Sequence, residues 1–331
     1  MASLRSSSKS GGMDPLNTDT FPSPVHAASK QENAVPPLAL NENAKFTPTT
    51  KAYKDQEFLA SREARLLRIM CEYQQPAKAF RDQQVNNTIL LFASARGKSR
   101  VQYDEALISS KAELDSLDEE DPSRETLEAN LSRLQRTEWM CHYYEVVEDT
   151  ARMLAQWGFD RKKDGNQEYS ICTGGGPGLM EAANKGAKSV VGAKSLGLGI
   201  SLPFEAGLNL YVTPELAFEF HYFFTRKFWM TLPCKALIVA PGGFGTCDEL
   251  FEFICLQQTG KKDWTPVVLL GTKYWKEIIN WDAMAKYGTV SDRDIQRLKF
   301  VDTAEEVFEY LKEELEKMEK SLPSEKFDLD F

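Results

Sequence analysis

Short apolar runs that alternate with longer stretches of helical periodicity constrain the fold of this chain more than any other feature of its sequence. Parallel strands need crossover connections, which are usually helices, so this alternation predicts a mostly parallel sheet with helices on both faces. We therefore predict an α/β fold with a Rossmann-like, doubly wound sheet. The predicted strands are Thr88–Ala93, Tyr169–Cys172, Gly197–Leu202, Ala236–Ala240, Val267–Leu270 and a short strand near Phe300.

Helices are predicted where apolar residues recur every three to four positions. Over residues 66–73 this spacing indicates a helix that Pro76 should end. Over residues 139–154 it indicates another helix, which Gly158 should close. The helices predicted after the later strands lie around Leu179–Ala187, Glu215–Thr231, Asp248–Gln258, Tyr274–Ala285 and Ala304–Lys317.

The composition changes along the chain and indicates one folded unit with two tails. Residues 1–50 are rich in Ser, Pro, Asn and Ala, lack apolar periodicity and are predicted to be a disordered tail. Residues 51–320 are predicted to form a single α/β domain. Two helical patterns within residues 97–136 indicate an inserted helical hairpin beside the sheet, and residues 321–331 are expected to fray.

The charge and the cysteine pattern exclude several classes of protein. A formal net charge of -9 argues against a nucleic-acid partner, and no apolar run approaches the roughly 18 residues that span a bilayer. The six cysteines form no C-x-x-C pair and the three histidines do not cluster, so we expect neither a metal nor a cofactor. These features favour a cytoplasmic protein, while the Ser-containing basic start leaves organellar targeting open.

Three predicted strand exits carry residues suited to binding a phosphate. Ser94 and Arg96 follow the first strand, where a hydroxyl and a guanidinium can hold a polar ligand group. TGGGPG at 173–178 and PGGFGTCDE at 241–249 each stand between a strand and a helix. Consecutive glycines let the backbone approach an anion, and a helix start presents free N–H groups. A tight structural turn, or a surface Arg beside a turn Ser, is the alternative interpretation.

Charged residues accompany the last glycine loop. Thr246 is placed to cap the next helix or to bond a phosphate, and Glu249 is expected in the first turn of that helix. A carboxylate there could equally serve the helix dipole alone. Arg226 and Lys227 lie on the apolar segment HYFFTRKFWM, which leaves little solvent face for an ordinary exposed pair. Because parallel strands end at one edge of the sheet, we expect the three exits to converge on one crevice.

These motifs resemble those of a known family. GGGPGLMEAANKGA, the RK of FFTRKFWM and PGGFGTCDE together resemble the LOG family of cytokinin riboside 5'-monophosphate phosphoribohydrolases, many of whose members were long labelled possible lysine decarboxylases. The resemblance spans roughly residues 88–311 apart from the inserted hairpin. The upstream segment TKAYKDQEFLASREARLLRIMCEY is similar to the N-terminal extension of longer, bacterial-type members, and Ala93 stands where many relatives carry Gly.

The resemblance implies hydrolysis of the N-glycosidic bond of a nucleoside 5'-monophosphate, either a cytokinin riboside monophosphate or an AMP-like nucleotide. It implies that Arg226 and Glu249 are the catalytic pair, and that the protein is a homodimer with its sites near the subunit interface. Glu249 would stabilise positive charge on the sugar and orient the attacking water. The residues expected to bind substrate and phosphate are Ser94, Arg96, Gly174, Gly175, Gly176, Gly178, Met180, Lys227, Gly242, Gly243, Gly245 and Thr246.

Other functions are compatible with the same loops. A non-hydrolytic carrier of a nucleotide or phosphorylated cofactor is the main alternative, since fold does not fix function. A dehydrogenase-type domain lacks its G-x-G-x-x-G signature here, and no lysine stands out as a pyridoxal Schiff-base residue. Two interpretations are open for four apolar side chains: they line a pocket for a prenylated base, or they belong to the apolar core. These residues are Phe223, Phe224, Trp229 and Met180.

Overall fold

A computed structural model describes residues 49–202 and 207–321 of the chain. The described residues contain seven strands, all parallel to their neighbours, which confirms the predicted α/β sheet. The strands are β1 (Thr88–Phe92), β2 (Ser170–Thr173), β3 (Ser195–Ile200), β4 (Ala217–Phe220), β5 (Cys234–Val239), β6 (Val267–Leu270) and β7 (Leu298–Val301).

Helices connect these strands and cover the sheet. The α-helices are α1 (Gln56–Ala60), α2 (Arg65–Asp82), α3 (Arg100–Asp115), α4 (Arg124–Gln135), α5 (Met140–Lys163), α6 (Leu179–Lys188), α7 (Phe223–Thr231), α8 (Phe244–Gln258), α9 (Thr272–Ile278), α10 (Trp281–Lys286), α11 (Asp292–Gln296) and α12 (Ala304–Ser321). Short 3-10 segments lie at Ala52–Lys54 and Pro214–Leu216.

The strand order is β4-β3-β2-β1-β5-β6-β7, so β1 lies at the centre of the sheet. The chain moves outward from β1 through β2, β3 and β4, and then returns to the other side of β1 as β5. The carboxyl ends of β1 and β5 therefore flank the point where the strand order reverses. Open α/β sheets bind their ligands at such a point.

The two faces of the sheet have separate apolar cores. Ile89 and Leu91 point to the face covered by α5, α6 and α12, whereas Leu90 and Phe92 point to the face covered by α2, α7, α8, α9 and α10. Successive strand residues face opposite sides, and both sets are buried here, so the strand is apolar throughout. Burial on both faces explains why TILLF contains no polar alternation.

Two expected helix ends are wrong. Helix α2 continues through Pro76 to Asp82, and helix α5 continues through Gly158 to Lys163. A proline removes one helical hydrogen bond, but the burial of Pro76 and Phe80 against the sheet holds the helix together. A side-chain Cβ at Gly158 would lie 2.4 Å from the Tyr169 carbonyl oxygen, so this glycine serves close packing rather than termination.

The expected helix Glu215–Thr231 is also wrong, because part of it is a seventh strand. A 3-10 segment, strand β4 and helix α7 occupy this range. In β4 the side chains of Phe218 and Phe220 are buried while Ala217 and Glu219 are exposed, the alternation of a strand with one solvated face. Aromatic residues occur in both β4 and α7, so the sequence does not show where the two-residue spacing of a strand changes to the spacing of a helix.

The expected helix Tyr274–Ala285 consists of two helices, α9 and α10. Ile279 is extended, and the Asn280 side chain accepts a hydrogen bond from the Ala283 amide at the start of α10. Asn is among the residues that favour this capping position, and its amide oxygen begins a new helix here.

The inserted hairpin is present as α3 and α4, which contact each other while α4 has no buried residue. The predicted tail at residues 1–50 lies almost wholly outside the described residues, as do residues 322–331 of the predicted C-terminal tail. Within the described residues, no helix combines the length and apolarity needed to cross a membrane.

Candidate active site at the carboxyl edge of the sheet

The three strand exits contact one another at the carboxyl edge of the sheet. The Ser94 amide, after β1, donates a hydrogen bond to the Pro241 carbonyl oxygen after β5 (2.9 Å). The Ser94 carbonyl oxygen in turn accepts from the Leu179 amide at the start of α6 (3.0 Å). The exit of β1 is therefore bonded directly to both glycine loops, as the parallel topology predicts.

The first glycine loop depends on backbone conformations that favour glycine. Gly175 and Gly178 have positive φ angles of 70° and 76°. A Cβ atom on Gly178 would also lie 2.6 Å from the Ser94 carbonyl oxygen. The loop amide of Gly175 donates to the Thr173 hydroxyl (2.8 Å), which fixes the turn directly after β2.

Asn209 holds the outside of this loop, and the sequence analysis missed it. Its side-chain amide donates to the carbonyl oxygens of Gly175 (3.0 Å) and Gly176 (3.1 Å) and to Asn184 Oδ1 (2.8 Å). With its carbonyls engaged, the loop can turn other backbone groups toward a ligand. The fully buried Asn184 on the apolar face of α6 was the available signal, because a buried amide requires polar partners.

The second glycine loop leads directly into α8. Gly243 is the N-cap and provides no side-chain cap, so Thr246 does not cap this helix, contrary to expectation. Thr246 is buried in the first turn, and a Cβ on Gly242 would lie 2.1 Å from its hydroxyl oxygen. Glu249 is the sixth residue of α8, not part of its first turn, because the helix begins already at Phe244.

The start of α8 presents an open surface of backbone donors. The first amides of a helix have no intrahelical acceptor and carry a partial positive charge. A Cβ on Gly243 or Gly245 would meet no atom of the described residues within 4 Å, so no described neighbour requires glycine there. Bare backbone at a helix start is suited to close approach by an anion.

Arg226 and Glu249 form a buried ion pair behind these loops. The Arg226 Nη1 atom lies 3.2 Å from Glu249 Oε1, and Arg226 Nε donates to the Leu198 carbonyl oxygen (2.8 Å). The two residues are only 8% and 7% exposed. The structure thus brings together two predicted residues that are far apart in sequence, one from α7 and one from α8.

Burial shifts the protonation of Glu249. Loss of solvation raises the pKa of this carboxyl to about 7, and the positive charges of Arg226 and Lys227 oppose the rise. The carboxylates of Glu252 and Asp248 add to it. A carboxyl that titrates near neutral pH beside a cleft is a common property of catalytic sites.

The buried pair faces the first glycine loop. A Cβ on Gly174 would lie 2.9 Å from Arg226 Nη2 and 3.0 Å from the Met180 sulfur. A Cβ on Gly176 would lie 2.9 Å from the Met180 terminal methyl group. Gly174, Gly176, Met180 and the ion pair are therefore neighbours around one cleft.

Not every predicted residue faces this cleft. Lys227 pairs with Asp248 (2.8 Å) and Glu252 (2.5 Å), so its charge is largely compensated. The Arg96 side chain is exposed at the rim, while its amide donates to the Ser94 hydroxyl (3.1 Å).

The aromatic residues considered for a base pocket lie elsewhere. Trp229 is fully buried in the core against Phe80. Phe223 and Phe224 line a cavity of about 960 Å³ that extends toward the amino ends of the strands, away from the glycine loops. Of the four candidates, Met180 alone is placed at the first glycine loop.

Comparison with known proteins addresses the family. Residues 180–311, which include α7, the second glycine loop and α8, match the family described as "Possible lysine decarboxylase". None of the curated proteins matches the chain.

Solved structures with similar folds include the structural genomics target TM1055 (17% identity, 69% of this chain and 99% of that chain, TM-score 0.39). They also include the molybdenum cofactor binding protein from the phototrophic bacterium Rippkaea orientalis (18% identity, 52% of this chain and 88% of that chain, TM-score 0.35).

The family match and the sequence resemblance agree on the segment that carries Arg226 and Glu249. Residues 180–311 of this chain are therefore similar to the family described as "Possible lysine decarboxylase", the label long given to LOG-type proteins.

Proposed function

We propose that this protein hydrolyses the N-glycosidic bond of a nucleoside 5'-monophosphate and releases the free base and ribose 5-phosphate. The observation that carries the proposal is the buried Arg226–Glu249 pair, which lies beside a glycine loop and near an open helix start. The family match supports the assignment of these motifs, and the chemistry is argued from the residues themselves.

The 5'-phosphate would bind at the start of α8. The amides of Gly245 and Thr246 and the Thr246 hydroxyl can donate hydrogen bonds to its oxygens. The open space at Gly243 and Gly245 allows the phosphate to approach the backbone. This position would direct the ribose toward Glu249, which lies one turn further along the same helix.

Glu249 would act on the sugar. Cleavage of the bond between the ribose C1' and the base nitrogen develops positive charge on the sugar, and a nearby carboxylate stabilises that charge. The carboxylate can also orient a water molecule, whose oxygen bonds to C1' as the bond from C1' to the base nitrogen breaks. The bonding electrons leave with the base, the water gives up a proton to Glu249, and the base takes up a proton in exchange. Arg226 would hold the Glu249 carboxylate in place and neutralise the charge of the leaving group or phosphate.

The family description suggests a decarboxylation, but the lysines of the described residues do not favour it. A Schiff-base lysine must react as a neutral amine, which requires a lowered pKa. At the candidate site the pKa of Lys227 is raised, because Asp248 and Glu252 bond to its ammonium group. Burial lowers the pKa of Lys194 and Lys235, which stand at the amino ends of β3 and β5, the opposite edge of the sheet.

The proposal is tested by incubating the full chain with AMP, GMP, CMP and isopentenyladenosine monophosphate, and separating free base and ribose 5-phosphate by chromatography. Preference for the prenylated nucleotide would identify a cytokinin-activating enzyme. Cleavage of all four would identify a nucleotide-salvage nucleosidase of broad specificity. Bound nucleotide without any cleavage would refute hydrolysis and favour the carrier function.

The pH dependence of hydrolysis provides an independent check. If the ionised Glu249 carboxylate is required, kcat/KM should fall as the pH drops below about 7, by about 100-fold at pH 5. An ordinary glutamate, with its pKa near 4.5, would still be mostly ionised there. The variant Asp282→Asn, which removes an exposed carboxylate from α10, should leave this profile unchanged. An acidic limb near pH 4.5 in the wild type would contradict the assignment.

The resemblance implies a homodimer, and we further infer that its two copies associate through the outer face of α7. Phe223, Phe224 and Phe228 expose their rings there, and Phe224 is 58% exposed. Lys227 and Glu252 add charges of both signs to this face, so it can complement a second copy of itself. An exposed aromatic cluster of this kind is typical of an interaction surface.

The dimer is tested by light scattering coupled to size-exclusion chromatography. The wild type is expected at about twice the chain mass of 37.4 kDa. Phe224→Glu should give monomers, because it buries a charge in the interface. Tyr287→Glu, at an even more exposed aromatic outside this face, should remain dimeric. A monomeric wild type would overturn the inference.

A further inference from the structure

We propose that Glu72, on helix α2 near the N-terminal side of the chain, is a positioning residue for Arg226. This inference rests on the proposed hydrolysis. Helix α2 lies outside the residues that match the family, and neither the match nor the motifs assign it a role. Glu72 does not touch the candidate cleft; it acts on the helix that carries Arg226.

The Glu72 carboxylate binds three donors at the start of α7. Its Oε1 atom accepts from the His221 amide (2.8 Å), and its Oε2 atom accepts from the Tyr222 amide (3.3 Å) and the Thr225 hydroxyl (2.5 Å). All three donors lie about 150 positions further along the chain. One side chain from a remote helix thus accepts all three of these hydrogen bonds at the start of α7.

Helix α7 needs an acceptor from elsewhere. Tyr222 occupies the N-cap position, and no side chain of its own caps the helix. The amides at a helix start require acceptors, and a carboxylate there is stabilised by the helix dipole. A local Ser or Asp cap accepts from an amide inside the first turn, whereas Glu72 accepts from the amides of His221 and Tyr222 just before it. Glu72 therefore anchors the backbone segment that leads into α7 and, through the Thr225 hydroxyl, its first turn.

The first turn of α7 determines the position of the Arg226 backbone, from which the side chain extends. The Arg226 amide donates to the Tyr222 carbonyl oxygen (3.3 Å), and Thr225 immediately precedes it in the chain. The far end of Arg226 is held by the Leu198 carbonyl oxygen and by Glu249. A rotation of this turn would move the guanidinium while Glu249, on α8, stays in place.

Helix α2 is a firm base for this contact. Ala77 and Phe80 are buried against the sheet, and Phe80 packs edge-to-face on Trp229 of α7 (5.4 Å between ring centres). Tyr73, the neighbour of Glu72, contacts the rings of Phe228 and Trp229. The two helices are therefore joined along their length, with the polar contact at the end nearest Arg226.

The test uses the full chain and the variant Glu72→Gln, which keeps the size of the side chain but removes its charge and one strong acceptor. We expect kcat to fall by about 10- to 100-fold with KM within about threefold, because a displacement of about 1 Å at a catalytic group has effects of this size. Asp82→Asn, on the same helix and paired with Lys78, is the matched control and should keep wild-type kcat.

A cap that only stabilises the fold would not change the titration of Glu249. The charged groups around this carboxyl are Arg226, Lys227, Glu252 and Asp248. If Arg226 is displaced in Glu72→Gln, its positive charge supports the carboxylate less, and the acidic limb of the rate profile should move to higher pH. A lower melting temperature with unchanged kcat and an unchanged limb would overturn the proposal.

A readout that needs no hydrolysis separates this inference from the proposed function. The Arg226 Nε–H group gives an NMR signal that can be assigned by its loss in Arg226→Lys. We expect this signal to shift in Glu72→Gln and to stay in place in Asp82→Asn. If the wild type cleaves no nucleotide, the proposed function fails, and the NMR comparison still decides whether Glu72 positions Arg226. An unmoved signal in Glu72→Gln would contradict the positioning role.

Discussion

Replacing Glu249 by Gln is expected to lower turnover by at least about 10³-fold while nucleotide binding changes little, because the carboxylate acts on charge that develops only in the transition state. Gln preserves the volume of the side chain and an oxygen acceptor for Arg226, which lies 3.2 Å from the carboxylate. The loss should therefore reflect missing charge rather than altered packing. Turnover is measured by release of base, and binding by calorimetric titration with AMP.

The adjacent carboxylate supplies the control for this experiment. Asp248 is exposed and paired with Lys227, and successive helix positions point about 100° apart, so its side chain faces away from Glu249. Asp248→Asn should keep turnover within a few-fold of the wild type. Full activity in Glu249→Gln would refute the assigned role, and equal losses in both variants would show that general charge near the cleft matters instead.

Replacing Gly178 by Ala should both destabilise the protein and disrupt the cleft. Its φ of 76° and ψ of -133° fall in a region that is essentially restricted to glycine and costs an alanine about 1–3 kcal/mol, and a Cβ there would meet the Ser94 carbonyl oxygen at 2.6 Å. That oxygen belongs to the backbone and accepts from the Leu179 amide, so it cannot move without breaking the contact between two loops. We expect the free energy of unfolding to fall by about 3 kcal/mol, with loss of nucleotide binding.

Gly165 provides a control with a nearly equal φ angle. Its φ is 77°, but a Cβ there would meet nothing within 4 Å. Gly165→Ala should therefore cost only about 1 kcal/mol in urea unfolding and leave nucleotide binding intact. Equal losses of stability in the two variants would show that backbone conformation alone, and not the contact between the loops, sets the cost at Gly178.

The sheet and most of the candidate site could be predicted from sequence because their signals are local. An apolar run such as Thr88–Phe92, followed by a glycine loop or a Ser-x-Arg turn, contains the strand and its exit within a few residues. Parallel topology then requires these exits to converge, and their hydrogen bonds agree with that expectation. The meeting of Arg226 with Glu249 came from the resemblance and not from spacing.

The two helix ends that were wrongly predicted depend on contacts between distant residues. Pro76 and Gly158 interrupt helices by local rules, yet burial of α2 and the close approach of Tyr169 override those rules. Asn209 and Glu72 bind backbone groups about 35 and 150 positions away, and the sequence on either side of each residue does not indicate these partners. Positioning residues of this kind are visible only once the fold is known.

The central place of β1 in the sheet has a consequence for biosynthesis. Phe92 of β1 pairs with Val239 of β5, so one side of this strand has no partner until about 150 more residues have left the ribosome. At 5–20 residues per second, that interval is roughly 7–30 s, during which an apolar strand edge is open to other nascent chains. The central strand is thus synthesised before the other strands of the sheet, but it gains its second neighbour late. The emerging chain should therefore depend on chaperones until β5 is synthesised.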